Sequence, residues 1–181
     1  MNRARSVVVL AAIVCAACSS QAEMVPLLTA AGIPLTDPTE VPLRVDTRST
    51  AVQDPLRVVG TSVVYGDIET ALGHAVSSAT VPWAHAHRNK SSDGWELFVE
   101  VTNADAKYDG DRLVVSLGVR ATLRARAGND YLAQTQASCR EGGIVAPQKG
   151  APLIYGCMME IGRTLGGWLD GVDLDAVSAR Q

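Results

Sequence analysis

The chain has 181 residues, enough for one domain with a sizeable core. Its 16 Lys and Arg against 19 Asp and Glu give a formal charge of −3, so there is no electrostatic reason to expect nucleic acid. One Phe, four Tyr and three Trp are also too few to suggest base-stacking platforms.

Residues 1–17 read as an export leader, with Arg3 and Arg5 as a basic head and residues 7–17 as an apolar core. A membrane span takes about 20 apolar residues, so this core is too short to be one, and no later segment comes close. Ala16-Ala17 directly before Cys18 resembles the lipobox of bacterial lipoproteins, with Cys15 where that family usually has Leu. The resemblance implies a diacylglyceryl group on the Cys18 thiol, palmitate on the mature protein, and attachment to the membrane through this N-terminal lipid. In that family an Asp after the cysteine favours the inner membrane. Ser19 therefore implies the outer membrane, facing the periplasm. The alternative is cleavage after Ala22, at Ser20-Gln21-Ala22, which would release a soluble periplasmic binding protein. Cleavage before Cys18 removes 17 of 181 residues together with Arg3 and Arg5, leaving 14 basic against 19 acidic residues and a charge of −5.

Residues 18–54 read as a lipid-anchored tether and irregular arm, because Pro26, Pro34, Pro38 and Pro42 interrupt every apolar run. Residues 43–47 could pair briefly at a sheet edge. An α+β domain is expected over 55–171. It opens with a β-branched strand over 56–63. Asp67 is placed to cap a helix whose apolar face is Ile68, Leu72, Ala75, Val76 and Ala79, and Pro82 marks its end or a kink.

After a polar turn at 89–94, Trp95, Leu97, Val99 and Val101 alternate with Glu96, Phe98, Glu100 and Thr102, which is the period of a strand. Asp109-Gly110 marks a turn. Leu113, Val115, Leu117, Val119, Ala121, Leu123 and Ala125 form one face of a long second strand. Gly128-Asn129 turns into a third, over 131–139, with Tyr131, Ala133, Ala137 and Cys139 on one face. Residues 140–151 read as a loop. Pro152 then suits the first turn of a helix carrying Leu153, Cys157, Ile161, Leu165, Trp168 and Leu169 on one face, with Gly171 as its stop. A flexible tail follows over 172–181. The order β-α-β-β-β-α predicts a two-layer sandwich, a mainly antiparallel sheet with two helices on one face.

Cys139 and Cys157 remain when Cys15 is removed and Cys18 is acylated. Both lie on faces expected to meet in one core, so an exported chain should join them as a disulfide, the alternative being two buried thiols. His85 and His87 flank Ala86, but no Cys, Asp or Glu in that short stretch completes a metal site, and solvated histidines at a helix end are the simpler reading. No nucleophile elbow or reactive Cys beside a local His is present, so no catalytic residue and no cofactor is expected. Asp67 and Glu69 read as acids favouring a helix N-terminus. Gly162, Gly166 and Gly167 form no phosphate loop, and close packing of their helix on the sheet is the plainest reason for them. Arg120, Arg124 and Arg126 share the polar face of the long strand. They form either a partner or anionic-lipid patch or, more simply, cross-strand pairs with Glu96 and Glu100.

The stretches Trp95-Glu-Leu-Phe-Val-Glu-Val101, residues 114–123, and residues 157–169, taken with the element order and the leader, resemble the auxiliary lipoproteins of ABC-type lipid transporters. They are less similar to LPS-assembly lipoproteins. The likeness covers roughly residues 55–170. It implies a non-catalytic binding or scaffold component of an envelope protein complex serving lipid transport or envelope assembly.

Overall fold

The computed structural model describes residues 23–33, 43–49, 56–57, 63–87, 94–126, 131–146 and 149–174. The leader with Cys18, residues 89–93 and 128–129 of the expected turns, and residues 175–181 of the expected tail lie outside the described residues.

Period-two alternation builds the main sheet. The strands are β2 (Leu43–Ser49), β5 (Trp95–Asp109), β6 (Arg112–Ala125) and β7 (Tyr131–Gly143), in the order β2-β5-β6-β7. The β5–β6 and β6–β7 pairs are antiparallel, while β2 runs parallel to β5 as an edge strand. Leu97, Val99 and Val101 of β5 and Leu113, Val115, Leu117, Val119, Ala121 and Leu123 of β6 are all buried on one face. Two helices cover that face, α2 (Ile68–Ala86) and α3 (Ala151–Asp170). The α+β two-layer sandwich is the fold, with both long helices against the apolar face. Each buried Leu, Ile or Met of this layer contributes about 1.5–3 kcal/mol relative to exposure.

The folded unit reaches further back than the prolines suggest. Strand β1 (Glu23–Pro26) runs parallel to β4 (Val63–Gly66), and a short helix α1 (Leu27–Ala31) follows it. Leu27 and Leu28 are buried, and α1 packs against α3. Pro26 is tolerated because it ends the strand and precedes the helix, where its missing N–H costs no ladder bond. Gly32 takes a left-handed φ of 72° past the end of α1, and the Ile33 N–H donates to the Leu28 carbonyl at 2.9 Å.

The strand expected over 56–63 is not one strand. Leu56–Arg57 forms β3, which pairs antiparallel with β4, so the chain reverses between them. Together β1, β4 and β3 make a second, three-stranded sheet, and β2 supplies the fourth strand of the main one.

Helix α2 starts at Asp67, but not by side-chain capping. Asp67 adopts a left-handed φ of 56° and its carboxylate makes no cap bond. Asp tolerates this conformation better than most residues, and the chain needs it to leave β4 for the helix. The helix also runs past Pro82 to Ala86. Pro82 is exposed, so water can serve the carbonyl that loses its donor. Beyond it Trp83 and Ala84 are buried, and Trp83 Nε1 donates to the Leu169 carbonyl at 2.9 Å, fixing the end of α2 to the end of α3.

β7 continues through residues 140–143, which pair with residues 113–116 of β6, where sequence suggested a loop. Tyr131 does not share the inner face of Ala137 and Cys139. A register shift opposite Leu123 and Arg124 aligns Tyr131 with Arg124, and Tyr131 is exposed. On α3 the buried stripe is Ile154, Cys157, Met158, Ile161, Leu165 and Leu169, with Leu153 and Trp168 at its margins.

Gly162 and Gly166 serve helix–helix contact, not helix–sheet contact. A Cβ on Gly162 would lie 2.9 Å from the Ala75 carbonyl oxygen and 3.0 Å from Ala79 Cβ, both on α2. Gly166 also faces α2, at 3.3 Å from the Ala79 oxygen, while Gly167 meets nothing.

Candidate functional site

The face of the main sheet opposite the helices carries the polar side chains, in register across the strands. Arg44, Glu96 and Arg124 form one row, Asp46, Phe98 and Thr122 the next, and Arg48, Glu100 and Arg120 the third. Arg124 contacts Glu96 Oε2 through Nε at 2.6 Å and Nη2 at 2.5 Å. Arg120 Nη1 lies 3.4 Å from Glu100 Oε2. The expected cross-strand pairs therefore form. Arg126 is not part of this face by register: β6 ends at Ala125, and Arg126 sits in the following turn with its N–H donated to the Gly94 carbonyl.

The expected face contained only β5 and β6. The structure adds β2 to it. Arg48 pairs with Asp46 at 3.2 Å and stacks over the Phe98 ring, 5.4 Å from its centroid. The signal was in the sequence, because Arg44, Asp46 and Arg48 alternate with Leu43, Val45 and Thr47. A depression of about 420 Å³ opens on this face between Phe98, Glu100, Arg120 and Thr122 and residues 131–134 of β7.

Cys139 and Cys157 are bonded to each other, with Cα atoms 5.6 Å apart, and tie β7 to α3. The same two elements pack against each other. Cys18 lies outside the described residues.

The three histidines do not converge. His74 Nδ1 is 2.8 Å from the Tyr155 hydroxyl, bridging α2 and α3. His87 stacks on Trp83 and its Nδ1 lies 2.9 Å from the Trp83 carbonyl oxygen, while His85 is exposed. Among the described residues no three His, Cys, Asp or Glu side chains come together to hold a metal. Burial raises the pKa of the Tyr155 phenol. Tyr108 is raised too, first by burial and then by the charge of Tyr65, and its hydroxyl donates to the Val145 carbonyl at 2.7 Å. Glu69 works as a structural acid: its carboxylate accepts from the Ser49 N–H at 2.5 Å, and its carbonyl accepts from Thr47 Oγ1 at 2.8 Å, pinning α2 to β2.

No family model matches the chain, and no curated protein does. Among solved structures it is similar to protein XCC0632 from Xanthomonas campestris, of family DUF330, with a TM-score of 0.51 at 11% identity over 77% of this chain and 87% of that one. It also aligns with a candidate lipoprotein from Caulobacter crescentus, with a TM-score of 0.43 at 12% identity over 76% and 93% of the two chains. A hypothetical protein, CT253 from Chlamydia trachomatis, gives a TM-score of 0.41 at 10% identity over 70% and 95%. At 11% identity the likeness to XCC0632 is one of fold.

Proposed function

We propose that the chain is a non-catalytic, lipid-anchored protein of a bacterial cell envelope, held in the outer membrane by Cys18 and facing the periplasm. It acts as a binding or scaffold component in lipid transport or envelope assembly. The observation that carries this reading is the Cys139–Cys157 bond, because a structural disulfide belongs to an oxidising compartment. The leader ending in Ala16-Ala17-Cys18 supplies the route there. The fold shared with XCC0632 is compatible with this role. Glu96 and Glu100 of the open sheet face are held in ion pairs with Arg124 and Arg120 of the neighbouring strand, which supports a binding role over an acid–base one.

Mass spectrometry of the mature N-terminus tests the reading. Wild type should start at an acylated Cys18 and sediment with membranes. Cys18→Ala should lose the lipid and appear in the soluble fraction. The second reading is a soluble protein cleaved after Ala22, whose new N-terminus would be Glu23. An unmodified wild-type chain starting at Glu23 would decide for it.

A further inference from the structure

The main sheet stops at β7, and among the described residues no strand pairs with its outer rim. Such a rim offers alternate free N–H and C=O groups at the spacing another extended chain requires. Proteins usually blunt such edges with short strands, proline, lysine or bulges. β7 has thirteen residues and neither proline nor lysine. Its register shift lies at its first residues and leaves 133–143 regular. The other edge is less open, because β2 has seven residues and its Ser49 N–H is already taken by Glu69.

Two independent features mark the β7 rim. Large exposed apolar side chains bracket it: Tyr131, 78% exposed, is its first residue, and Ile144, 77% exposed, follows its last. Charge is also sorted across the open face. All of its acids, Asp46, Glu96, Glu100, Asp105 and Asp109, come from β2 and β5, which also bring Arg44, Arg48 and Lys107. The two strands nearest the rim contribute only cations to it: Arg112, Arg120 and Arg124 from β6 and Arg140 from β7. Arg140 is exposed, lies opposite Ser116, and has no acidic partner among the described residues.

We propose that β7 receives an extended, acidic segment of a partner protein as a fifth strand. Main-chain hydrogen bonds to the rim supply the attachment, and alternate side chains supply the choice of segment. Acidic residues of the segment fall on the open face beside Arg140, while Arg120 and Arg124 keep their pairs with Glu100 and Glu96. Apolar residues at its ends cover Tyr131 and Ile144. This deepens the reading of the chain as a binding component and does not depend on the lipid.

The test uses the full mature chain and two eight-residue peptides, one alternating Glu with Val and the other Lys with Val, followed by amide hydrogen exchange. The glutamate peptide should slow alternate amides within 133–143. It should bind about tenfold more tightly than the lysine peptide at low salt, a margin that narrows as salt rises. Arg140→Glu, at an exposed position, should reverse the preference. The proposal is overturned if neither peptide protects β7, if both bind equally, or if protection maps to β2 or to the helices. Self-association that protects the same amides without peptide would also overturn it, by making a second copy the occupant. Cys18→Ala should leave all of these readouts unchanged, so failure of the anchored-protein reading shows in membrane fractionation and not here.

Discussion

Reducing the Cys139–Cys157 bond should cost this domain about 3 kcal/mol. The two cysteines are 18 residues apart in sequence. The chain-entropy relation for a loop of that size gives about 11 cal/mol/K, hence about 3 kcal/mol at 25 °C. For a chain of this length each kcal/mol moves the melting temperature by about 2–4 °C, so reduction should lower it by about 6–12 °C. Reduction is a cleaner perturbation than mutation. Both sulfurs are buried in the layer between β7 and α3, and reduction leaves them there, so no cavity opens. The Cys139→Ala/Cys157→Ala variant should lose about 1 kcal/mol more, because it also removes packed atoms. The assay is thermal unfolding with and without reductant, alongside thiol titration of the unfolded, unreduced protein. Oxidised and reduced melting temperatures within about 2 °C of one another would refute the loop-closure reasoning. Two free thiols in the unreduced protein would refute the bond itself.

Gly162→Ala should destabilise by about 1–3 kcal/mol, because its Cβ collides with the Ala75 backbone. Gly167→Ala, which meets nothing, should instead stabilise by up to about 1 kcal/mol, and chemical denaturation of both variants checks the contrast. Arg124→Gln should cost under about 1 kcal/mol yet more than Arg120→Gln, since the Arg124–Glu96 contact is shorter and less exposed. Raising the salt should shrink both losses, and a loss that grows with salt would contradict ion pairing. Burial holds the Tyr155 phenol above its ordinary pKa of about 10, so the unfolded chain ionises first. That contribution is fully present below about pH 10 and is lost as pH rises through the folded value. Tyr155→Phe should flatten part of this alkaline loss in denaturation curves compared at about pH 9 and pH 11, while costing about 1 kcal/mol at neutral pH through the lost His74 contact.

The elements with strong periodicity were legible from sequence. β6 shows why: its six consecutive inward residues are all buried, and no other arrangement would hide them. The disulfide was legible too, because Cys139 and Cys157 each extend an inward face. What escaped was decided by long-range pairing. β1 is four residues long and ends in proline, so it carries no pattern of its own, and it exists because β4 offers it a parallel partner. Residues 140–143 contain two glycines and look like a turn, yet β6 is long enough to hold them as strand. Tyr131 was placed inward by counting alternate residues, and a single register shift put it outside. Pro82 failed as a helix stop because the residues after it, Trp83 above all, have buried sites to fill.

The early start of the fold shortens the leash. If Cys18 carries the lipid, only residues 19–22 separate the anchor from β1 at Glu23. Five residue steps reach at most about 18 Å when fully extended. A domain of roughly 150 residues has a radius of gyration of about 15 Å, hence a width of about 38 Å, so the leash is about half as long as the body it holds is wide. Such a domain can tilt against the bilayer, but it cannot sweep the periplasm in search of a partner. Whatever it engages must itself come to within a few nanometres of the membrane surface, and geometry rather than affinity would be the first filter on its partners.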